Sequence, residues 1–416
     1  MTTTPTASES QTALISRYRR YLSKGRASLG EMFGGDVEDS SSGAWLRTVS
    51  GRRILNCGGY GVFLMGARHP RVLAEVTRQL DTNPVATRLL LEPQAVDAAE
   101  ALVSVVPDGL RKVHFACGGA EAVEAAIKLA RAHGKRRLVS MESGYHGKTM
   151  GALSVTAKDT FQNPFLPLLP EVSRVPYGDA LALEKVLAQH EGEACVIVEP
   201  VQGEAGVIVP PDGYLRDVEG LCRRYGAFFV LDEIQTGLGR LGHWWGADRE
   251  GVRPDALLVG KGLSGGVVPV SALVATPEAF RPFDKDPFIH TSTFSCNPLA
   301  MAAAKGAIAA IKEDGLVGRA SDLGALLIPE IDRIVRRELG DRVLEVRGAG
   351  LLIGIEFTVP GLAGDLLLEL IGAGVLANHS LNSSTVMRLT PPAVLTPDDV
   401  DFLLDALGRA ARAVLN

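Results

Sequence analysis

The chain reads as an α/β protein: a large unit built on a mostly parallel central sheet flanked by helices, followed by a smaller αβ unit. Two observations carry this reading. Residues 227–231 and 256–260 are short, continuous apolar runs bounded by turn signals, as expected of strands buried on both faces of a parallel sheet. Strand-like and helix-like segments also alternate from about residue 112 to 274, the pattern of a doubly wound sheet. Each apolar run is followed at once by polar groups. Asp232 and then Gln235 follow the first, and Lys261 follows the second. Ligands of open α/β sheets bind beyond the carboxyl ends of the strands, so an acid, an amide and an amine are expected to meet at one edge.

At 416 residues the chain is long enough for one large domain and a smaller one. A net charge of −5 gives no electrostatic reason for a nucleic-acid partner or an anionic membrane surface. The five cysteines are scattered without CxxC spacing, which argues against a disulfide framework or a zinc site and fits a reducing compartment. The polar start MTTTPTASESQT lacks the apolar core of a signal peptide, and no apolar run reaches spanning length. The expectation is a cytoplasmic protein with no metal.

In chain order, residues 1–12 read as disordered and 13–29 as an amphipathic helix. Residues 45–56 read as a hairpin turning at Ser50-Gly51. The glycine-rich NCGGYGVFLMGARHP brings backbone close to something. Helical patterns follow at 70–80 and 93–106. The run VHFACGGAEAVEAAIKLARAHG then places a strand end, the turn Gly118-Gly119-Ala120 and a strong helix in sequence. Such a turn offers backbone N–H groups and a positive dipole end to an anion, though any βα connection looks similar.

A strand at 137–141 leads into ESGYHGKTMGALS. Its GKT resembles the end of a P-loop, and with FFVLDE it raises an ATPase reading. That reading fails because the required first glycine is Glu142. Tyr145 and His146 can instead stack on a flat ligand. A helix at 179–189 and a strand at 195–198 precede EPVQGEAG, which brings Glu199 and Glu204 to the same edge. A helix at 215–225 completes the unit. Residues 281–298 read as loop, and small-residue and long helices follow to 339. A compact αβ unit then has strands near 343–346, 351–357, 375–377 and 386–389, with helices at 361–372 and 397–414. The expected division is an N-terminal segment, 1–65, packing with the small domain, a large domain, 66–315, and a small domain, 316–416.

An anion cradle, a stacking aromatic, a buried acid and a strand-end lysine form a coherent set. Pyridoxal phosphate needs all four, the lysine joining its aldehyde as a Schiff base. At this point the sequence resembles the class III aminotransferases of the fold type I pyridoxal phosphate enzymes. The resemblance runs from about residue 49 to the C-terminus. Its most specific part is LDEIQTGLGR with Lys261 one βαβ step later. GGAEAVEAAIKLAR, YHGKTMGALS, EPVQGEAGV, HTSTFSCNPLA, VRGAGLLIGIEF and MRLTPPAVLT also occur in the family's order.

The resemblance implies that Lys261 binds the cofactor and moves the substrate proton. Asp232 pairs with the ring nitrogen, Gln235 with the ring oxygen, and Tyr145 stacks on the ring. Gly118, Gly119 and Ala120 cradle the phosphate, with His146 and Glu199 in support. Thr293 reaches the phosphate of the neighbouring subunit, which implies a homodimer with shared sites. The chain departs from the family at Cys117-Gly118, Ser295-Cys296 and Gly262, where affinity or fine shape is affected.

Within the family, GGYGVFLMGARHP, YHGKTMGALSVTAKDTFQNPFLPLLP and ANHSLNSSTVMRLTPP are most similar to the putrescine aminotransferase group. By that resemblance Arg388 grips the α-carboxylate of 2-oxoglutarate as a fork. Glu204 neutralises Arg388 when the amine carries no such carboxylate. The expected reaction is ping-pong transamination between a terminal primary amine, such as a diamine, and 2-oxoglutarate. Acetylornithine, ornithine or 4-aminobutyrate specificity keeps every cofactor residue and stays open. So does amination of an aldehyde in a specialised biosynthetic pathway. Glutamate-semialdehyde aminomutase matches less well at EPVQGE, and a P-loop ATPase or silent scaffold is the reading of a different class.

Overall fold

The structure is a computed structural model and describes residues 11–415. The expected disorder of residues 1–10 lies outside that range, and residues 11 and 12 begin a helix, Gln11–Tyr21. The expected single helix over 13–29 is two, the second being Lys24–Met32 with the Ser23 hydroxyl capping its start. Serine at that position satisfies an orphan N–H and ends the preceding helix.

The hairpin at 45–56 gains a third strand. Strands β1 (Glu38–Ser42), β2 (Trp45–Thr48) and β3 (Arg53–Asn56) form an antiparallel ribbon. The central sheet holds β4 (Lys112–Ala116), β5 (Arg137–Met141), β6 (Val172–Val175), β7 (Ala194–Val198), β8 (Phe228–Asp232), β9 (Ala256–Val259) and β10 (Ser271–Ala275). Its spatial order is β4-β10-β9-β8-β7-β5-β6. β10 pairs antiparallel with both its neighbours, and the other pairings are parallel. The expected mostly parallel sheet is therefore present, with one reversed strand inside it.

β7, β8 and β9 are buried along their whole length. Successive side chains of a strand point to opposite faces. Phe229 and Leu231 enter the larger core, while Phe228 and Val230 enter the second core on the other face. A continuous apolar run is what such double burial demands. Charged groups can appear only where the strands stop.

The C-terminal unit has β11 (Val343–Ala349), β12 (Leu352–Phe357), β13 (Val375–Leu376), β14 (Asn378–His379) and β15 (Val386–Leu389). The expected strand at 375–377 is divided: β13 pairs parallel with β3, whereas β14 joins the antiparallel sheet β11-β12-β15-β14. The N-terminal ribbon is further tied to the C-terminal helix Pro397–Ala413, where Trp45 Nε1 donates to Asp399 at 2.8 Å and the Trp45 and Phe402 rings meet at 5.2 Å. Part of the expected loop after 280 is instead helical, as the end of Pro277–Lys285. Among the described residues no helix is long and apolar enough to cross a membrane.

The turn between β11 and β12 seats against the loop that follows β8. Gly350 lies there with φ +52, and an added Cβ would come within 2.6 Å of Arg240 O and Gly242 N. Two backbone segments meet, so neither can yield cheaply. Gly350→Ala is expected to lower unfolding free energy by about 3 kcal/mol, measured by urea denaturation.

Candidate active site

β8 and β9 deliver the two principal groups to the expected edge. Asp232 ends β8 and is buried. β9 ends at Val259, and after Gly260 the chain turns so sharply that Lys261 adopts φ +43. A non-glycine residue in that region is held there by its surroundings. Lys261 keeps partial exposure into a cavity of about 260 Å³. Gly119, Ala120, Tyr145, His146, Glu199, Asp232 and Gln235 line the same cavity.

The acid is held rigidly. His146 Nδ1 donates to Asp232 Oδ2 at 2.7 Å, and the Ile234 N–H donates to Asp232 Oδ1 at 3.1 Å. Burial alone would lower the His146 pKa, but the hydrogen bond and charge of Asp232 outweigh it, so the ring's pKa is raised. A proton-bearing imidazole on Asp232 favours the ionised carboxylate, which in turn favours a cation on its cavity side. The His146 backbone N–H donates to Thr156 Oγ1 at 2.9 Å, fixing the loop that carries it.

Glu199, at the end of β7, joins two loops. Its Oε1 accepts from Tyr145 N at 2.9 Å and its Oε2 from Gly203 N at 3.1 Å. Burial pushes its carboxyl up to about 7. Burial likewise pushes the Lys261 amine down to about 8, against the opposing pull of Glu204. An amine with so low a pKa is substantially neutral, and hence nucleophilic, near pH 8.

Arg388 leaves β15 and is fully buried, as is Glu204 beside it. Arg388 Nη2 donates to both Glu204 carboxylate oxygens at 2.8 Å. Arg388 Nε and Nη1 have no partner. Both bidentate edges of a guanidinium include Nη2, so Arg388 can present a full fork to a second anion only when Glu204 releases that nitrogen.

Gly118 faces a neighbouring cavity of about 390 Å³, which also reaches Cys117 and Lys261. An added Cβ at Gly118 would meet nothing within 4 Å. The side chain missing here thus leaves space and no rearranged backbone. Thr293 is exposed, on a loop pinned where Ser295 Oγ donates to Phe115 O, and it lines neither cavity.

Several contributors were not read from the sequence. Ile234, Gly147 and Lys148 also line the first cavity. Strand periodicity could have flagged Ile234, two residues beyond Asp232 and so on the same side. Glu233 faces the other way, fully buried, accepting from Gly246 N at 3.0 Å and Ala247 N at 2.8 Å. It clamps the loop that follows Gln235.

The donor set suits pyridoxal phosphate. The cavity joins a helix N-terminus at Gly119–Ala132, an aromatic ring, a buried carboxylate and a lysine of lowered pKa. Gln235 Nε2 is buried with no protein partner, as expected of a donor reserved for a ligand. An added Cβ on Gly119 would lie 2.9 Å from Ile234 Cδ1, so any larger residue at the helix start would have to displace the Ile234 side chain.

Comparison with known proteins agrees. The class III aminotransferase family model matches residues 35–411. An ornithine aminotransferase from Toxoplasma gondii, in which pyridoxal phosphate partly occupies the active site, is 32% identical, with 97% of this chain and 95% of that one covered and a TM-score of 0.88. An acetylornithine aminotransferase from Elizabethkingia anophelis is 29% identical over 97% and 99%, with a TM-score of 0.84. An (S)-enantioselective omega-transaminase from Thermomicrobium roseum is 26% identical over 99% and 100%, with a TM-score of 0.89. The chain therefore belongs to the class III aminotransferases, enzymes that transfer amino groups with pyridoxal phosphate.

Proposed function

We propose that this aminotransferase moves nitrogen between a terminal primary amine, of which the diamine putrescine is the type, and 2-oxoglutarate in two half-reactions. The observation that carries this reading is the buried Glu204–Arg388 pair with two Arg388 nitrogens free. Closed, the pair presents a neutral wall to an amine lacking an α-carboxylate. Open, Arg388 offers its fork to the α-carboxylate of the oxo acid. The substrate loops quoted in the sequence analysis support the diamine assignment. A second reading, ornithine or acetylornithine specificity, is favoured by the similarity to enzymes of those names.

Pyridoxal phosphate supplies an electron sink that acidifies the substrate Cα–H. Asp232 would hold its ring nitrogen charged, Gln235 its ring oxygen, Tyr145 its face, and Gly118, Gly119 and Ala120 its phosphate. His146 and Glu199 orient these groups. Lys261, through its Nζ, would carry the proton between the substrate carbon and C4′ of the cofactor. Thr293 completes the phosphate site of a neighbouring subunit in a homodimer. Phe288 and Phe294, on the same segment as Thr293, and Leu89, Leu90 and Leu91 are exposed apolar side chains, which supports that assembly. The same reading divides the chain at 1–65, 66–315 and 316–416, the first part bound to the last through β3, β13 and Trp45. The free cysteines fit work in a reducing cytoplasm.

Putrescine, cadaverine, N-acetylornithine, ornithine, 4-aminobutyrate and β-alanine, each with 2-oxoglutarate and glutamate as readout, form the direct assay. Diamines are expected to lead, and turnover confined to amino acids would replace the diamine reading by the second one. The enzyme is expected to be yellow, and Lys261→Ala to lose both that absorbance band and activity. Arg388→Gln is expected to reduce kcat/KM for 2-oxoglutarate about a hundredfold, with a much smaller effect on the diamine half-reaction in stopped-flow absorbance. Cofactor uptake by the cofactor-free protein requires the neutral Lys261 amine. Its rate is expected to rise about tenfold per pH unit below about pH 8 and to level above it, where an ordinary lysine would go on rising to about pH 10.

A further inference from the structure

The hairpin loop between β14 and β15, residues 380–385, closes over the Glu204–Arg388 pair and is tied to the opposite side of the site. Asn382 makes the principal tie. Its Nδ2 donates to Ser143 O at 2.7 Å and to Gly144 O at 3.3 Å, the two residues just before Tyr145. Lys158 Nζ donates to Asn382 O at 3.0 Å from the same side. On the other face of the loop the Leu381 N–H donates to Glu204 Oε2 at 3.0 Å. The Asn382 N–H donates to Glu204 O, also at 3.0 Å.

Two of these bonds differ in what they restrain. The Asn382 N–H holds the backbone of Glu204, which need not move when the side chain swings. The Leu381 N–H holds the carboxylate itself, and is lost whenever Glu204 leaves Arg388. The loop thus supplies a donor that counts only in the closed arrangement. Such a donor shifts an equilibrium by its differential interaction with the two states. Its aim depends on the loop, which the Asn382 side chain, together with Lys158, ties to the far side of the site.

We propose that Asn382 is a positioning residue for substrate exchange: by anchoring the 380–385 loop to Ser143 and Gly144, it keeps the Leu381 N–H on Glu204 and so holds the pair closed. The proposal rests on the reading of Arg388 as the carboxylate fork. Asn382 sets how readily a dicarboxylate displaces Glu204 relative to an amine that needs no displacement. Because the anchor ends beside Tyr145, it also ties the resting state of the pair to the loop that carries the stacking ring.

Glutarate, which has the two carboxylates of 2-oxoglutarate and no reactive carbonyl, serves as the probe, titrated calorimetrically into the holoenzyme. Asn382→Ala is expected to bind it about tenfold more tightly than the wild type, the scale of one hydrogen bond to a charged acceptor. Lys158→Ala, which weakens the same anchor from the large domain, is expected to shift affinity in the same direction by less. General loosening of the fold would weaken binding, so tightening separates positioning from a structural role. Unchanged or weaker binding by both variants, with binding lost in Arg388→Gln, would overturn the proposal and leave the Arg388 reading standing. Glutarate binding to Arg388→Gln as to the wild type would remove both.

Discussion

Desolvation is the constraint on which the site depends. β7, β8 and β9 are buried on both faces, and Glu199, Glu204 and Asp232 at their carboxyl ends are buried as well. Every ionisable group brought there must be paired, neutral or awaiting a ligand. Asp232 is paired with His146, and Glu204 with Arg388. Burial moves Glu199 and Lys261 toward their neutral forms. The same low polarity that makes these charges expensive also makes each remaining interaction strong, which suits a family whose chemistry depends on charge placed at a ring and at a substrate carboxylate.

Pairing also divides labour across the edge. The groups from β7, β8 and β9 lie on one rigid sheet, where pre-set geometry favours an invariant cofactor. Arg388 comes from a different sheet, and its loop neighbours come from the hairpin beyond it. On the proposed reading, cofactor handling and substrate selection would rest on separate structural supports joined by a few hydrogen bonds.

What could be read from the chain follows the range of the forces involved. β8 and β9 are legible because double burial demands unbroken apolar runs, and Asp232 and Lys261 stand out where those runs stop. β6 was missed because its residues, VSRV, lie at the sheet edge, where partial exposure permits polar side chains. The reversed direction of β10 leaves no local mark, since SALVA would suit either orientation. Part of the loop expected after residue 280 is helical, Pro282 being accommodated inside the helix Pro277–Lys285. Residue types in the cavity were readable, but their pairings were not. Neither the bond from His146 to Asp232 nor that from Asn382 to Ser143 has a sequence signature, because each joins segments that only the folded topology brings together.

The tie between the two ends of the chain has a consequence for biosynthesis. Trp45 and Asp399 are partners separated by 354 residues, and β3 finds its parallel neighbour only when β13 has been made. Contacts so distant in sequence form slowly and late. During translation the central sheet can assemble while the N-terminal ribbon waits for its mate, carrying the glycine-rich loop after β3 with it. On the proposed reading, a nascent chain released before β13 and β15 are made would hold most of the cofactor floor without Arg388 and the substrate wall it belongs to.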